Sequence, residues 1–227
     1  MRVLGIDTSL TAVSACIFDS FSSSIVSSDS ILLARGHAEA LPPLLDRVIS
    51  RMEGDFSSID KIAVTVGPGS FTGIRVGVAS ARAIALALDV PVVGVSTLSA
   101  FAAPLVMEGG NFTIVSAIDA RHGNVYFQTF GTDGRTIQGP RLSKVSEAAS
   151  MLRKGPFRIA GSAGAALTLE VRLLSLSADP AGELQNPLIE FVARLGANAD
   201  SARAPALPLY LKAAEAASQM LLKLDQG

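Results

Sequence analysis

The chain has 227 residues, is 49% apolar and carries 19 basic against 20 acidic side chains, a formal net charge of −1. That length suits one large or two small domains with a sizeable core, and the balanced charge excludes a global basic field that would draw in nucleic acid. A single cysteine, Cys16, excludes a disulfide framework within the chain and fits a reducing compartment.

Val3-Leu4-Gly5-Ile6-Asp7-Thr8-Ser9 reads as a buried strand running into a polar turn. Asp7 interrupts the apolar stretch and no small-residue cleavage site follows, so a cytosolic start is expected. Ala12 to Phe18 reads as the returning strand of a hairpin with Asp7, Thr8 and Ser9 at its tip. Leu41, Leu44, Leu45, Val48, Ile49 and Met52 then recur at helical spacing. Pro42 and Pro43 fit a first turn or a kink there. Ile62 to Val66, rich in branched residues, is a short strand. It leads into Gly67-Pro68-Gly69-Ser70 and a helix predicted from Phe71 to Leu88, then a strand from Pro91 to Val95. The apolar stretch from Ile74 to Val95 carries Arg75, Arg82, Asp89 and Pro91, whereas a spanning helix needs about 20 nearly uncharged residues. No membrane span is expected, and the chain reads as cytoplasmic.

The opening pattern returns. Ile6-Asp7, Val13 and Phe18 correspond to Ile118-Asp119, Val125 and Phe130 at one constant offset, which suggests a duplicated unit. The second half echoes the first with a helix near Ser146–Arg153, a strand from Phe157 to Ala160, and Gly161-Ser162-Ala163-Gly164. Strands alternating with helices predict an α/β fold. Pro104, Gly109 and Gly110 mark a boundary. This gives a first half over 1–103 and a smaller second half over 104–227, whose final segment is expected to pack back on the first.

The glycine loop admits two readings. Its glycines let the backbone turn tightly and approach a ligand, Ser70 can cap the following helix, and a helix N-terminus favours an anion. The same residues equally make an ordinary tight turn with a serine cap. The loop is neither a P-loop nor a dinucleotide fingerprint.

Five segments in order resemble the TsaB family: Gly5–Ser9, Gly67–Gly77, Pro91–Leu98, Ala117–Arg121 and Pro208–Lys212. The resemblance covers essentially the whole chain, with residues 131–205 matching loosely. It implies two actin-like, hsp70-like half-domains with ribonuclease H-like sheets, and a place in threonylcarbamoyladenosine synthesis on tRNA. Members of that family pair with a catalytic paralogue, TsaD, and work with the ATPase TsaE. The paralogue carries two histidines four residues apart after the strand that corresponds to Pro91–Val95, whereas those positions hold Thr97 and Phe101 here. Phenylalanine offers no lone pair to a metal, so neither a metal nor a catalytic residue is expected. A metalloprotease reading fails for want of a His-Glu-x-x-His motif.

The competing reading is an ATP-binding, kinase-like enzyme using the cleft between the halves. Asp7 and Asp119 are the right residue type to hold hydrated Mg²⁺ near phosphates. But the second loop, Asp119-Ala120-Arg121-His122-Gly123-Asn124, is bulky for wrapping phosphates. Asp7, Thr8, Ser9, Gly67, Gly69, Ser70 and Asp119 are therefore read as remnants of phosphate loops. No cofactor is expected, and weak nucleotide binding is left open. The predicted helix over 71–88 has little polar surface, and Gly73, Gly77, Ala81 and Ala85 form a small-residue ridge. The ridge, with Val76 and with Leu41, Leu45, Val48 and Met52, is the expected interface for TsaD, or for a second copy when the chain is alone. Contact with tRNA is expected only through the partner.

Overall fold

The computed structural model describes residues 1–182 and 184–211. The chain divides into two compact units, one built from Met1–Pro104 with Gln185–Pro208 and the other containing Leu105–Leu184. The second half read over 104–227 thus gives up Gln185–Pro208 to the first unit, while the final segment expected to pack back runs into residues outside those described. Residues 212–227 lie outside the described residues.

In the first unit, β1 (Arg2–Asp7), β2 (Ala12–Asp19) and β3 (Ser24–Leu32) form an antiparallel meander. β4 (Lys61–Gly67) and β5 (Val92–Ser96) add to β1 in parallel, giving the order β3-β2-β1-β4-β5. Helix α1 (His37–Ser50) lies on β2 and β3, and α2 (Phe71–Leu88) on β1, β4 and β5. Their apolar stripes meet Leu4, Ile6, Val13, Ala15, Ile17, Ile62 and Val64 in one core cluster. α3 (Thr97–Glu108) follows β5.

The second unit repeats this order. β6 (Thr113–Arg121), β7 (Asn124–Phe130) and β8 (Thr136–Lys144) are antiparallel, and β9 (Phe157–Ala160) and β10 (Ala178–Pro180) extend β6 in parallel. The sheet order β10-β9-β6-β7-β8 is that of the first sheet, element for element. α4 (Val145–Met151) and α5 (Gly164–Leu173) stand where α1 and α2 stand in the first unit, between the corresponding strands. They cover a core of Val115, Ala117, Val125, Phe127, Leu167 and Val171. The repeat is not exact in register: Ile6 faces Ala15 across the first hairpin, whereas Ile118 faces Tyr126 across the second. The second hairpin closes through the tighter turn, since its ladder continues to Arg121 opposite Asn124.

Helix α6 (Ile189–Asn198) is carried on the returning segment and packs on β1, β2 and β4, across the sheet from α1 and α2. Small residues set its approach. A Cβ on Gly5 would lie 3.0 Å from the Ala193 Cβ, and one on Gly196 would lie 2.1 Å from the Ala63 Cβ. Buried Lys61 reaches the helix end, its Nζ donating to the carbonyls of Ala197 at 3.2 Å and Ala199 at 2.6 Å. These are carbonyls that the end of a helix leaves unpaired. Beyond the helix, Gly94 N–H donates to Ala204 O and Val93 bridges Pro205, so the outer edge of β5 is covered.

Candidate functional site

The loop that followed β4 in sequence is in place at the N-terminus of α2, and the space before that helix is filled by the chain itself. Ser70 Oγ accepts from Gly73 N–H at 3.2 Å, and Ser70 N–H donates to Ser9 O at 2.7 Å. Thr8 Oγ1 donates to Gly73 O at 2.7 Å. A Cβ on Gly69 would lie 2.2 Å from Ser9 O, on Gly73 2.1 Å from Thr8 O, and on Gly77 2.4 Å from Thr8 Oγ1. The glycines are thus required by close approach of the chain's own Thr8–Ser9 turn. Two carbonyl oxygens face the first turn of the helix, where an anion would need donors. Of the expected remnants, Thr8, Ser9, Gly69 and Ser70 therefore come together as a clamp between the first hairpin and α2, and Gly67 ends β4 ahead of it.

Asp7 lies on the sheet face of Val3 and Gly5, fully buried. Its Oδ1 accepts from Ser9 N–H at 3.0 Å, Ser9 Oγ at 2.6 Å and Thr65 Oγ1 at 2.6 Å, while Oδ2 has no partner among the described residues. Burial pushes its carboxyl above the ordinary 3.8, against the three hydrogen bonds that pull it down. Asp119, at the matching strand end, is exposed; its Oδ1 accepts from Arg121 N–H at 2.8 Å, and its own N–H donates to Ser162 Oγ at 3.0 Å. Each carboxylate thus serves a nearby turn, the first in a dry setting and the second in water.

The raised pKa of Asp7 fixes the sign of a pH effect. The folded chain binds more protons than the unfolded one between 3.8 and the folded value, so stability is lost as pH rises through that window. Asp7→Asn keeps an acceptor for Ser9 and Thr65 and removes the buried charge. Its stability relative to the parent is expected to improve as pH rises from about 4 to 7, with the gain shrinking as pH falls toward 4. Urea unfolding over that range measures it; a gain that grows with acidification contradicts the assignment.

The interface expected from the sequence is corrected by the packing. Gly73, Gly77, Ala81 and Ala85 are all buried on the sheet side of α2, as are Leu41, Leu45, Val48 and Met52 in and after α1; Val76 is half-buried. The reason is that small residues admit close approach to any surface, and here the surface is the chain's own sheet and the Thr8–Ser9 turn. The outer face of α2 instead presents Thr72, Arg75, Ala79, Arg82, Ala83 and Leu86, the last 85% exposed. Beside it, α1 presents Glu39, Pro42, Pro43 and Asp46. Sequence reasoning missed this face because its apolar members are mostly alanine.

At the positions that hold the paralogue's histidines, Thr97 and Phe101 are buried at the start and in the first turns of α3. No group of three metal-capable side chains occurs among the described residues. α2 has the length and composition of a bilayer-crossing helix, yet its inner face is part of the first unit's core.

Two copies of one order, an antiparallel meander extended by parallel strands with helices between them, define an actin-like α/β protein. YeaZ from Pseudomonas aeruginosa superposes with a TM-score of 0.74 at 26% identity, over 92% of this chain and 99% of that one. The ethanolamine utilization protein EutJ from Carboxydothermus hydrogenoformans shares the fold at a TM-score of 0.52 and 11% identity. A family model described as TsaD, tRNA N6-adenosine threonylcarbamoyltransferase, matches residues 29–187, and the chain belongs to that family. Within it the similarity is to TsaB. The tRNA threonylcarbamoyladenosine biosynthesis protein TsaB of Escherichia coli K12 is 34% identical over 137 residues, 60% of this chain and 58% of that protein. Its counterpart in Haemophilus influenzae is 32% identical over 127 residues, 56% of this chain and 52% of that protein. The chain thus spans a little over half the length of these curated relatives.

Proposed function

We propose that this chain is a non-catalytic subunit of a cytoplasmic tRNA-modifying assembly. In this reading it pairs with the catalytic paralogue TsaD and, with the ATPase TsaE, supports threonylcarbamoyl transfer to adenosine 37 of tRNA. TsaD supplies the reaction centre and most of the tRNA contact, and this chain holds no metal or tightly bound nucleotide. The observation that carries the reading is the filled helix N-terminus. Ser9 O and Thr8 O occupy the place before α2 where a phosphate-binding loop keeps open donors.

The outer faces of α1 and α2 are the proposed pairing surface. Ala79 and Ala83 allow close helix approach, and Leu86 supplies an apolar anchor. A two-fold contact can set Arg75 and Arg82 of one copy against Glu39 and Asp46 of the other, which supports a weak homodimer that TsaD displaces.

Reconstitution tests the function. The chain and TsaD, each alone, are expected to leave tRNA unmodified, and the two with TsaE are expected to restore modification. Asp7→Asn should leave that activity within about twofold of the parent, because Asp7 serves a turn. Threonylcarbamoyl transfer or sustained ATP hydrolysis by the chain alone would overturn the reading in favour of an ATP-dependent enzyme.

A further inference from the structure

We infer that the tip of the β6–β7 hairpin is a direct contact for the phosphate backbone of RNA, an inference that rests on the chain working on tRNA. The balanced composition excludes a global basic field, but it says nothing of how cations are arranged locally. Arg121, His122 and Gly123 hold φ angles of 67°, 54° and 74°. Asparagine or glycine occupies that left-handed region with less strain than arginine does. The turn is nevertheless held from several sides. Asp119 Oδ1 accepts the Arg121 N–H at 2.8 Å, and Asn124 Nδ2 donates to the carbonyls of Arg121 at 3.2 Å and His122 at 3.4 Å.

The result is a stiff tip with Arg121 and His122 exposed, and exposed Lys144 facing Asn124 across the β7–β8 ladder. Arg141, also exposed, lies three residues earlier on the same edge strand, on its other face. Among the described residues none of these four side chains makes an ion pair, although others in the same unit do, such as Arg158 with Glu108 and Arg172 with Asp179. The neighbouring acids are turned to backbone donors: Asp119 takes the Arg121 N–H, and Glu147 takes the Lys144 N–H at 3.3 Å. The backbone that carries these two cations is already fixed before docking, and a guanidinium matches a phosphate through two parallel donors. Protein interfaces centre on apolar side chains, and none of the exposed large apolar residues falls within 119–124. An RNA backbone therefore fits this tip better than an acidic protein surface.

The test uses the isolated chain, a tRNA transcript and a salt series read by fluorescence anisotropy. The wild type is expected to bind at low salt. Lys144→Gln, outside the turn, should lower the slope of log K against log salt by about one, and Arg121→Asn with Lys144→Gln by about two. Affinity at low salt should fall about tenfold in the double variant. Its melting temperature should hold or rise, because asparagine suits the left-handed backbone. Arg121→Lys should keep the parent's slope. Unchanged slopes, or a wild type that fails to bind the transcript at low salt, overturn the inference. So does a loss confined to binding of a polyglutamate probe with tRNA binding intact. No partner protein enters this assay, so its failure leaves the pairing reading standing, and a failed reconstitution leaves this result standing.

Discussion

Glutamate in place of Ala81 is expected to unfold the first unit. Ala81 is fully buried in the middle of α2, within the core cluster formed by Ile6, Val64, Ile74 and Val78. The larger side chain has no room there, and its carboxylate has no cation in that cluster to pair with. Burying an unpaired charge costs several kcal/mol, comparable to the 5–15 kcal/mol that holds a typical domain together. Circular dichroism should show lost helix at room temperature or a melting temperature lowered by tens of degrees. A variant that melts like the parent would show that Ala81 faces outward and that the helix is rotated from the position described above. The companion site is Gly196, where the Cβ of any other residue would meet Ala63. Valine there should lift α6 from the sheet.

Glutamate in place of Ala79, two residues earlier and on the opposite side of the same helix, should behave in the contrary way. Ala79 is exposed in the single chain, so the new carboxylate stays in water and the fold is kept. In a paired state that closes on α2, the same carboxylate is buried against the partner. A cost of several kcal/mol is enough to erase most of a micromolar complex, whose standard free energy is about 8 kcal/mol. Binding of TsaD and tRNA modification should therefore be lost together, at least a hundredfold, with circular dichroism and melting temperature unchanged. Analytical ultracentrifugation of the chain alone should show the homodimer lost as well. Wild-type affinity in a folded Ala79→Glu variant would exclude this face.

The contrast between these neighbouring alanines shows how much was legible in the residues. The strands of both hairpins, the glycine loop, the helix over Phe71–Leu88 and the duplication all follow from apolar runs, turn residues and one repeated pattern. The direction of the α2 ridge did not, because a row of glycine and alanine serves close packing equally well against a partner or against the chain's own sheet. Only the position of Thr8 and Ser9 decides it, and that depends on strand register. The edge strands β3 and β8 escaped for another reason: rich in serine and polar residues and mostly exposed or half-buried, they lack the apolar alternation that marks a buried strand. Helix α6 carried a signal in the spacing of Phe191, Val192, Leu195 and Gly196, but nothing local shows that it returns to the first sheet. That return rests on Gly5, Ala63, Ala193 and Lys61, residues distant in sequence.

The two aspartates make the same point about chemistry. Asp7 and Asp119 stand at equivalent strand ends and look alike in sequence, yet one is buried with an unpartnered oxygen and the other is in water. Each carboxylate holds the turn that follows its own strand.

The most direct test of the central claim is to mix the purified chain with purified TsaD and follow complex formation by sedimentation velocity, with wild-type chain and Ala79→Glu side by side. A stable one-to-one complex with the wild type, and two separate species with the folded variant, is the predicted result. Two separate species in both mixtures, or the same complex in both, would contradict the assignment of this chain as a subunit that pairs through the outer face of α2.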